Sequence, residues 1–185
     1  MGFIKAFLLS LAAFVGLNLI FIILNYAFIG FNEFIDVISR APLMILYFLF
    51  GSITVTPFIS LNRAIPGDLL ETSLSIQTNI ILGFGFIIAP LLAAILAGRF
   101  GESKIQSFGG WALTAIIGTI LTIVGGSLSE TFRTTLAESY GWSSSVQELS
   151  SDLLIRIIIL ISLSGLISII FNGFFALLLT REEYY

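Results

Sequence analysis

Neither cysteine nor histidine occurs anywhere in this chain, and charged residues are scarce. The first two absences exclude a disulfide, a Cys/His zinc site, an iron–sulfur cluster and a His- or Cys-ligated haem built from this chain alone. No cofactor or metal is therefore expected. Only 10% of the 185 residues are charged, against about 25% in soluble domains. A charge at the bilayer centre costs at least ~2.5–3.5 kcal/mol on insertion scales, so this scarcity is what lipid-facing helices require. The net charge of −3 and a pI near 4.8 leave no basic patch to displace counterions from phosphates, which argues against nucleic acid as a partner. No cluster of Lys or Arg flanks an apolar run, so recognition of anionic lipid headgroups is unsupported as well.

What is present is apolar. Hydrophobic residues make up 57% of the chain, eighteen of them Phe, and the mean hydropathy is +1.08. A hydrocarbon core ~30 Å thick is crossed by about 20 apolar residues in a helix. Five segments meet that length, approximately 3–30, 41–61, 79–99, 109–126 and 153–180. They are unbroken runs rather than alternating patterns, and in lipid each backbone group must find its partner inside the segment, so helices follow. The sequence therefore predicts an all-α, polytopic transmembrane bundle forming one integral membrane domain over residues 1–185. Lys5 before an apolar run resembles the start of a signal peptide. The run continues to about Phe31, too long for an h-region, and no A-x-A-type site follows, so a retained first span is expected.

The connections carry their own patterns. In residues 31–40, Phe31, Phe34, Ile35 and Ile38 lie opposite Asn32, Glu33, Asp36 and Arg40, which reads as a short helix in the interface. Ser39 and Pro42 suit the start of the second span. Pro66-Gly67 marks a turn, and Asp68 with Glu71 gives an N-cap signal. Segment 127–145 reads as a second interfacial helix. Ser127 and Glu130 would form its capping box, with Leu128, Phe132, Leu136 and Tyr140 on one face and Gly141 as a stop. Ser145 and Glu148 repeat the signal before the fifth span, and Tyr140 and Trp142 suit the headgroup region. Such a helix rests on its own bundle, or alternatively docks a partner. The basic residues divide evenly between the two sides of a five-span topology. The short turn carrying Arg99 and Lys104 then favours N-out, C-in in a cell membrane.

The most specific pattern is a pair of small-residue rows. Gly85, Ala89, Ala93, Ala97 and Gly101 recur every fourth residue in the third span, and Gly110, Thr114, Gly118, Thr122 and Gly126 do so in the fourth. Lipid supplies little hydrophobic drive for helix association, so close backbone approach across small side chains must provide the attraction. Folding back at the short turn sets the rows against each other as a hairpin core. The alternatives are one row facing a second protomer, or a pore lining. Weaker small or polar faces occur at Ser52, Thr56 and Ser60, at Ser164, Ser168, Asn172 and Ala176, and at Ala12 and Gly16. Pro57 and Pro90 fall inside the second and third spans, where each removes a backbone donor and bends a helix. Such breaks are ordinary in membrane helices, but in transporters they also mark binding sites.

All eleven acidic residues lie in connections or the tail, so a proton relay or ion-coupled pump lacks its usual parts. Arg156 enters the fifth span one turn after Asp152 and is read as a snorkelling side chain paired at i−4. Asn18, Asn25 and Asn172 are the most polar side chains at membrane depth. They either hydrogen-bond between helices or line a polar path. The serines have no His, buried acid or Lys to activate them, so no enzyme activity is expected. A non-catalytic accessory or scaffold subunit of a larger membrane complex is the first expectation, in contact with lipid and with other subunits or further copies of itself. A small oligomeric channel or facilitative transporter using the Asn, Ser and Thr faces is the alternative. A lipid-binding or membrane-shaping protein is the third.

Overall fold

The computed structural model describes residues 2–64, 74–139 and 150–180. Four helices are long and apolar enough to cross a bilayer: α1 (Gly2–Ile29), α5 (Leu74–Phe100), α6 (Lys104–Leu128) and α8 (Ser150–Leu178). Shorter helices are α2 (Phe31–Arg40), α3 (Met44–Phe50), α4 (Pro57–Ala64) and α7 (Glu130–Ser139). No strand occurs among the described residues, and the chain is an all-α, multi-pass membrane bundle. The buried row of α1 is Gly2, Ala6, Ser10, Phe14, Asn18, Ile22 and Asn25, about one residue per turn, and it gathers the serine and both asparagines of the helix.

Close contacts fix the helix directions. Gly110 abuts Ala6 and Phe7, and Gly118 faces Phe14, so α6 runs parallel to α1. Gly2 lies against Glu102 while Gly85 meets Phe21, so α5 runs antiparallel to it. Gly165 packs on Thr119 and Gly126 lies near Ile157, which makes α8 antiparallel to α6.

The second apolar segment differs from the other four. The chain leaves α1 at one end of the bundle and enters α5 at that same end, and residues 41–61 between them are not one continuous helix. They form a re-entrant segment: α3, a 3₁₀ turn over Gly51–Ile53, an irregular stretch at 54–56, then α4. Phe50 and Ile53 pack with Phe14, Ala93 and Trp111, whereas Val55 packs with Phe86 and Tyr47 nearer the entry side. The break has local causes. Ile53, Thr54, Val55 and Thr56 are all β-branched and stiff at χ1. Pro57 pushes its predecessor out of helical geometry and is itself suited to the first helical position. The Thr54 hydroxyl donates to the Gly51 carbonyl at 2.6 Å, and Thr56 Oγ1 accepts from the Ile59 N–H at 3.5 Å to cap α4. Pro57 thus opens a helix instead of bending one.

Gly2, the Phe100–Lys104 turn and the end of α8 near Ala176 lie at one end of the bundle. Four crossings would put them on one side of the membrane, whereas N-out, C-in expects Gly2 and the end of α8 on opposite sides. The cysteine-free background makes this directly testable. Single cysteines at Lys5, Lys104 and Thr180 are expected to react with an impermeant maleimide from one side of sealed vesicles, and those at Glu33 and Thr131 from the other. A five-span chain would place Lys104 and Thr180 opposite Lys5.

Helices form at both connections, α2 over Phe31–Arg40 and α7 over Glu130–Ser139, with details that differ from expectation. Gly30 turns the chain from α1 into α2 at φ 124°, a conformation open to glycine at little cost. Phe34, Val37 and Ile38 of α2 pack on the bundle, while Phe31 and Ile35 stay exposed on the adjoining flank. Asp36 and Arg40 pair at 2.8 Å on the polar side. Ser39 does not start the next helix; its hydroxyl donates to the Ile35 carbonyl. The cap of α7 is Ser129, which accepts from the Phe132 N–H at 3.2 Å, while Ser127 bonds back to Ile123. Phe132 and Leu136 are buried, with Phe132 against Gly125. The Arg133 guanidinium donates to the Gly126 and Ser127 carbonyls, both at 3.1 Å, closing the C-terminus of α6. Leu128, expected on the packed face, is exposed. The features at Pro66, Gly67, Asp68, Glu71, Tyr140, Gly141, Trp142, Ser145 and Glu148 lie outside the described residues.

Candidate functional site

All ten residues of the two small-residue rows are buried. The structure sets Gly85 of one row and Gly110 and Gly118 of the other against α1, which packs more extensively on α5 and on α6 than those two pack on each other. Gly85 receives Phe21, Gly110 receives Ala6 and Phe7, and Gly118 faces Phe14 and Phe50. Direct contact between α5 and α6 is clearest at the turn, where Ser107 abuts Gly101 and its hydroxyl donates to the Gly98 carbonyl at 3.3 Å. Thr114 and Thr122 bond back to the Gly110 and Gly118 carbonyls at 3.1 and 2.7 Å. The rows seat helices. Gly98, where an added Cβ would meet the Ala176 backbone, falls outside both.

The asparagines do not converge. Asn18 donates within α1 to the Phe14 carbonyl at 2.9 Å, and Asn25 Oδ1 is buried with no hydrogen-bond partner. Asn172 donates to the Ser168 hydroxyl at 3.0 Å on α8. Arg156 is exposed at the start of that helix; the side chains expected to pair with it lie outside the described residues.

Asn172 instead belongs to a cavity of about 120 Å³ at the re-entrant break. Ser52, Val55 and Pro57 line one wall, Phe86, Ile87, Pro90 and Leu91 of α5 a second, and Ser168, Phe171, Asn172 and Phe175 of α8 a third. Pro90 lies at the midpoint of the apolar crossing Ile80–Phe100, so the cavity sits at mid-membrane depth. Its polar content is specific. Ser52 is 1% exposed and its hydroxyl has no hydrogen-bond partner among the described residues. Pro90 has no N–H, so the Phe86 carbonyl one turn earlier loses its helical donor. Trp111, fully buried, donates from Nε1 to the Ser168 carbonyl at 3.3 Å and holds α8 in place against α6.

Among the described residues the lining includes no ionisable side chain, so what it offers a bound molecule is hydrogen bonds and shape. Irregular backbone is tolerated at this depth where it is buried in protein or lines a cavity. Its volume exceeds the roughly 10–15 Å³ one water requires. The sequence signal for it was present but divided: Ser52, Pro57, Pro90, Ser168 and Asn172 each stand out, and only the re-entrant turn joins them. Comparison with protein-family models, with curated proteins and with solved structures finds no match.

Proposed function

We propose that this chain is a non-catalytic membrane facilitator that lets small uncharged polar solutes cross the bilayer by binding them at the re-entrant break. The observation that carries this reading is the Ser52 hydroxyl, buried without a partner among the described residues in a mid-membrane cavity between a broken segment and a helix that carries Pro90. An unpaired buried hydroxyl costs roughly 1–3 kcal/mol. A solute or water that bonds to it recovers that cost. Broken helices around a central site are also a recurrent device of transporters. The absence of charge in the lining favours neutral over ionic cargo, because no group there compensates an ion's desolvation.

The accessory-subunit reading rests on lateral surface. Exposed side chains of α8 such as Ile155, Ile159, Leu166 and Ile170 suit lipid as well as a partner subunit, so they favour neither. For orientation, the short turn with Arg99 and Lys104 shares its side with Lys5, and the positive-inside argument then favours the cytoplasm for that end of the bundle.

Purified protein in vesicles tests the reading by stopped-flow light scattering with water, urea and glycerol. Flux above protein-free vesicles is expected, reduced by Asn172→Leu, which replaces a polar wall group. Protein-free rates for every solute would overturn it. Stoichiometric recovery with other polypeptides in mild detergent, without flux, would point to the accessory role.

A further inference from the structure

The cavity has two chemically distinct kinds of lining. Ser52 and Asn172 bring polar side chains, whereas Phe86, Phe171 and Phe175 supply rings. One of the two Asn172 amide N–H groups is given to Ser168, and Pro90 leaves the Phe86 carbonyl without its helical N–H. The Ser52 hydroxyl does not bond to that carbonyl, since it has no partner among the described residues. A molecule placed between them must donate to a carbonyl, both donate to and accept from a hydroxyl, and present C–H groups to aromatic faces. A chain of adjacent carbons each bearing a hydroxyl does all three. Ions are disfavoured by the uncharged lining, and planar amides present little C–H surface to the rings.

Resting on the facilitator reading, we propose that the solute is a short polyol, held between the Ser52 hydroxyl and the Phe86 carbonyl that Pro90 frees. Pro90 is thus a specificity-determining residue through the donor it lacks. Alanine at this position restores an N–H to the Phe86 carbonyl and regularises α5, while removing ring atoms from the cavity wall. A purely steric passage would then conduct better. A passage that works through the free carbonyl would conduct worse.

Vesicles containing the full chain are challenged with glycerol, and with urea as comparator, at limiting concentrations. Wild-type protein is expected to pass glycerol in preference to urea. Pro90→Ala and Ser52→Ala should each lower glycerol permeability about fivefold, the effect of one neutral hydrogen bond. Pro90→Ala should do so with an unchanged or raised melting temperature, which separates lost recognition from lost fold. Glycerol permeability unchanged or increased in both variants would overturn the polyol site and leave facilitation standing. Urea flux without glycerol flux would do the same. Protein-free rates for both solutes would remove the facilitator reading and this inference together.

Discussion

Replacing Trp111 with alanine is expected to destabilise the bundle by about 3–5 kcal/mol, the usual range for deleting a buried Trp or Phe side chain. Trp111 is fully buried and stands edge-on to Phe14, with centroids 6.0 Å apart and planes at 69°. Gly173 brings α8 close to its indole ring, and Nε1 donates to the Ser168 carbonyl. Lipid does not reward burial as water does, so the apolar transfer contribution shrinks in a membrane. The void remains, and its lining loses dispersion contacts outright. Trp111→Phe keeps most of the volume and gives up the N–H, for an expected loss of about 1 kcal/mol. Reversible unfolding in mixed detergent micelles measures both. If Trp111→Ala and Trp111→Phe cost the same, the hydrogen bond rather than the packing holds α6 to α8.

Fold class was legible because lipid leaves so few choices: a long uncharged run in this chain becomes a helix, and α1, α5, α6 and α8 follow the expected spans closely. Topology was less so. Residues 41–61 match a crossing helix in length and hydropathy, and hydropathy does not register that Ile53 to Thr56 are all β-branched ahead of Pro57. That run is the feature that breaks the second apolar segment, and four crossings would put the end of α8 on the side where α1 begins. Small residues were legible as packing positions but not as pairs. Gly, Ala and Thr rows allow close approach without naming the neighbour, and α1 carries a matching row, Ala6, Ser10 and Phe14, in a helix singled out only for its asparagines, Ala12 and Gly16. Gly16 in fact faces open space. The cavity drew on positions far apart in the chain, Ser52, Pro90 and Asn172, and no local pattern ties them together.

Gly98 and Gly16 provide a matched pair for the claim that close approach, more than glycine content, holds this bundle together. Both lie inside long helices, where replacing glycine by alanine gains up to about 1 kcal/mol of helix propensity. A Cβ at Gly16 meets nothing within 4 Å, so Gly16→Ala is expected to leave stability unchanged or raise it. At Gly98 the same atom would lie 2.5 Å from the Ala176 carbonyl oxygen and 3.0 Å from its Cα, both backbone. Backbone cannot rotate away as a side chain can, so α5 and α8 must separate. Overpacking of this kind costs about 1–3 kcal/mol, enough to reverse the propensity gain for Gly98→Ala, and Gly98→Leu should cost more. Separation has a functional consequence as well. α5 and α8 carry two of the three cavity walls, and Gly98 pins them together two turns from Pro90. A wedge there should widen the gap between Pro90 and Asn172, so Gly98→Ala is expected to alter solute selectivity at temperatures where the protein is still folded. Equal melting temperatures for the Gly16→Ala and Gly98→Ala proteins would mean that α8 is held by its other contacts, and that Ala176 can shift without disturbing the site.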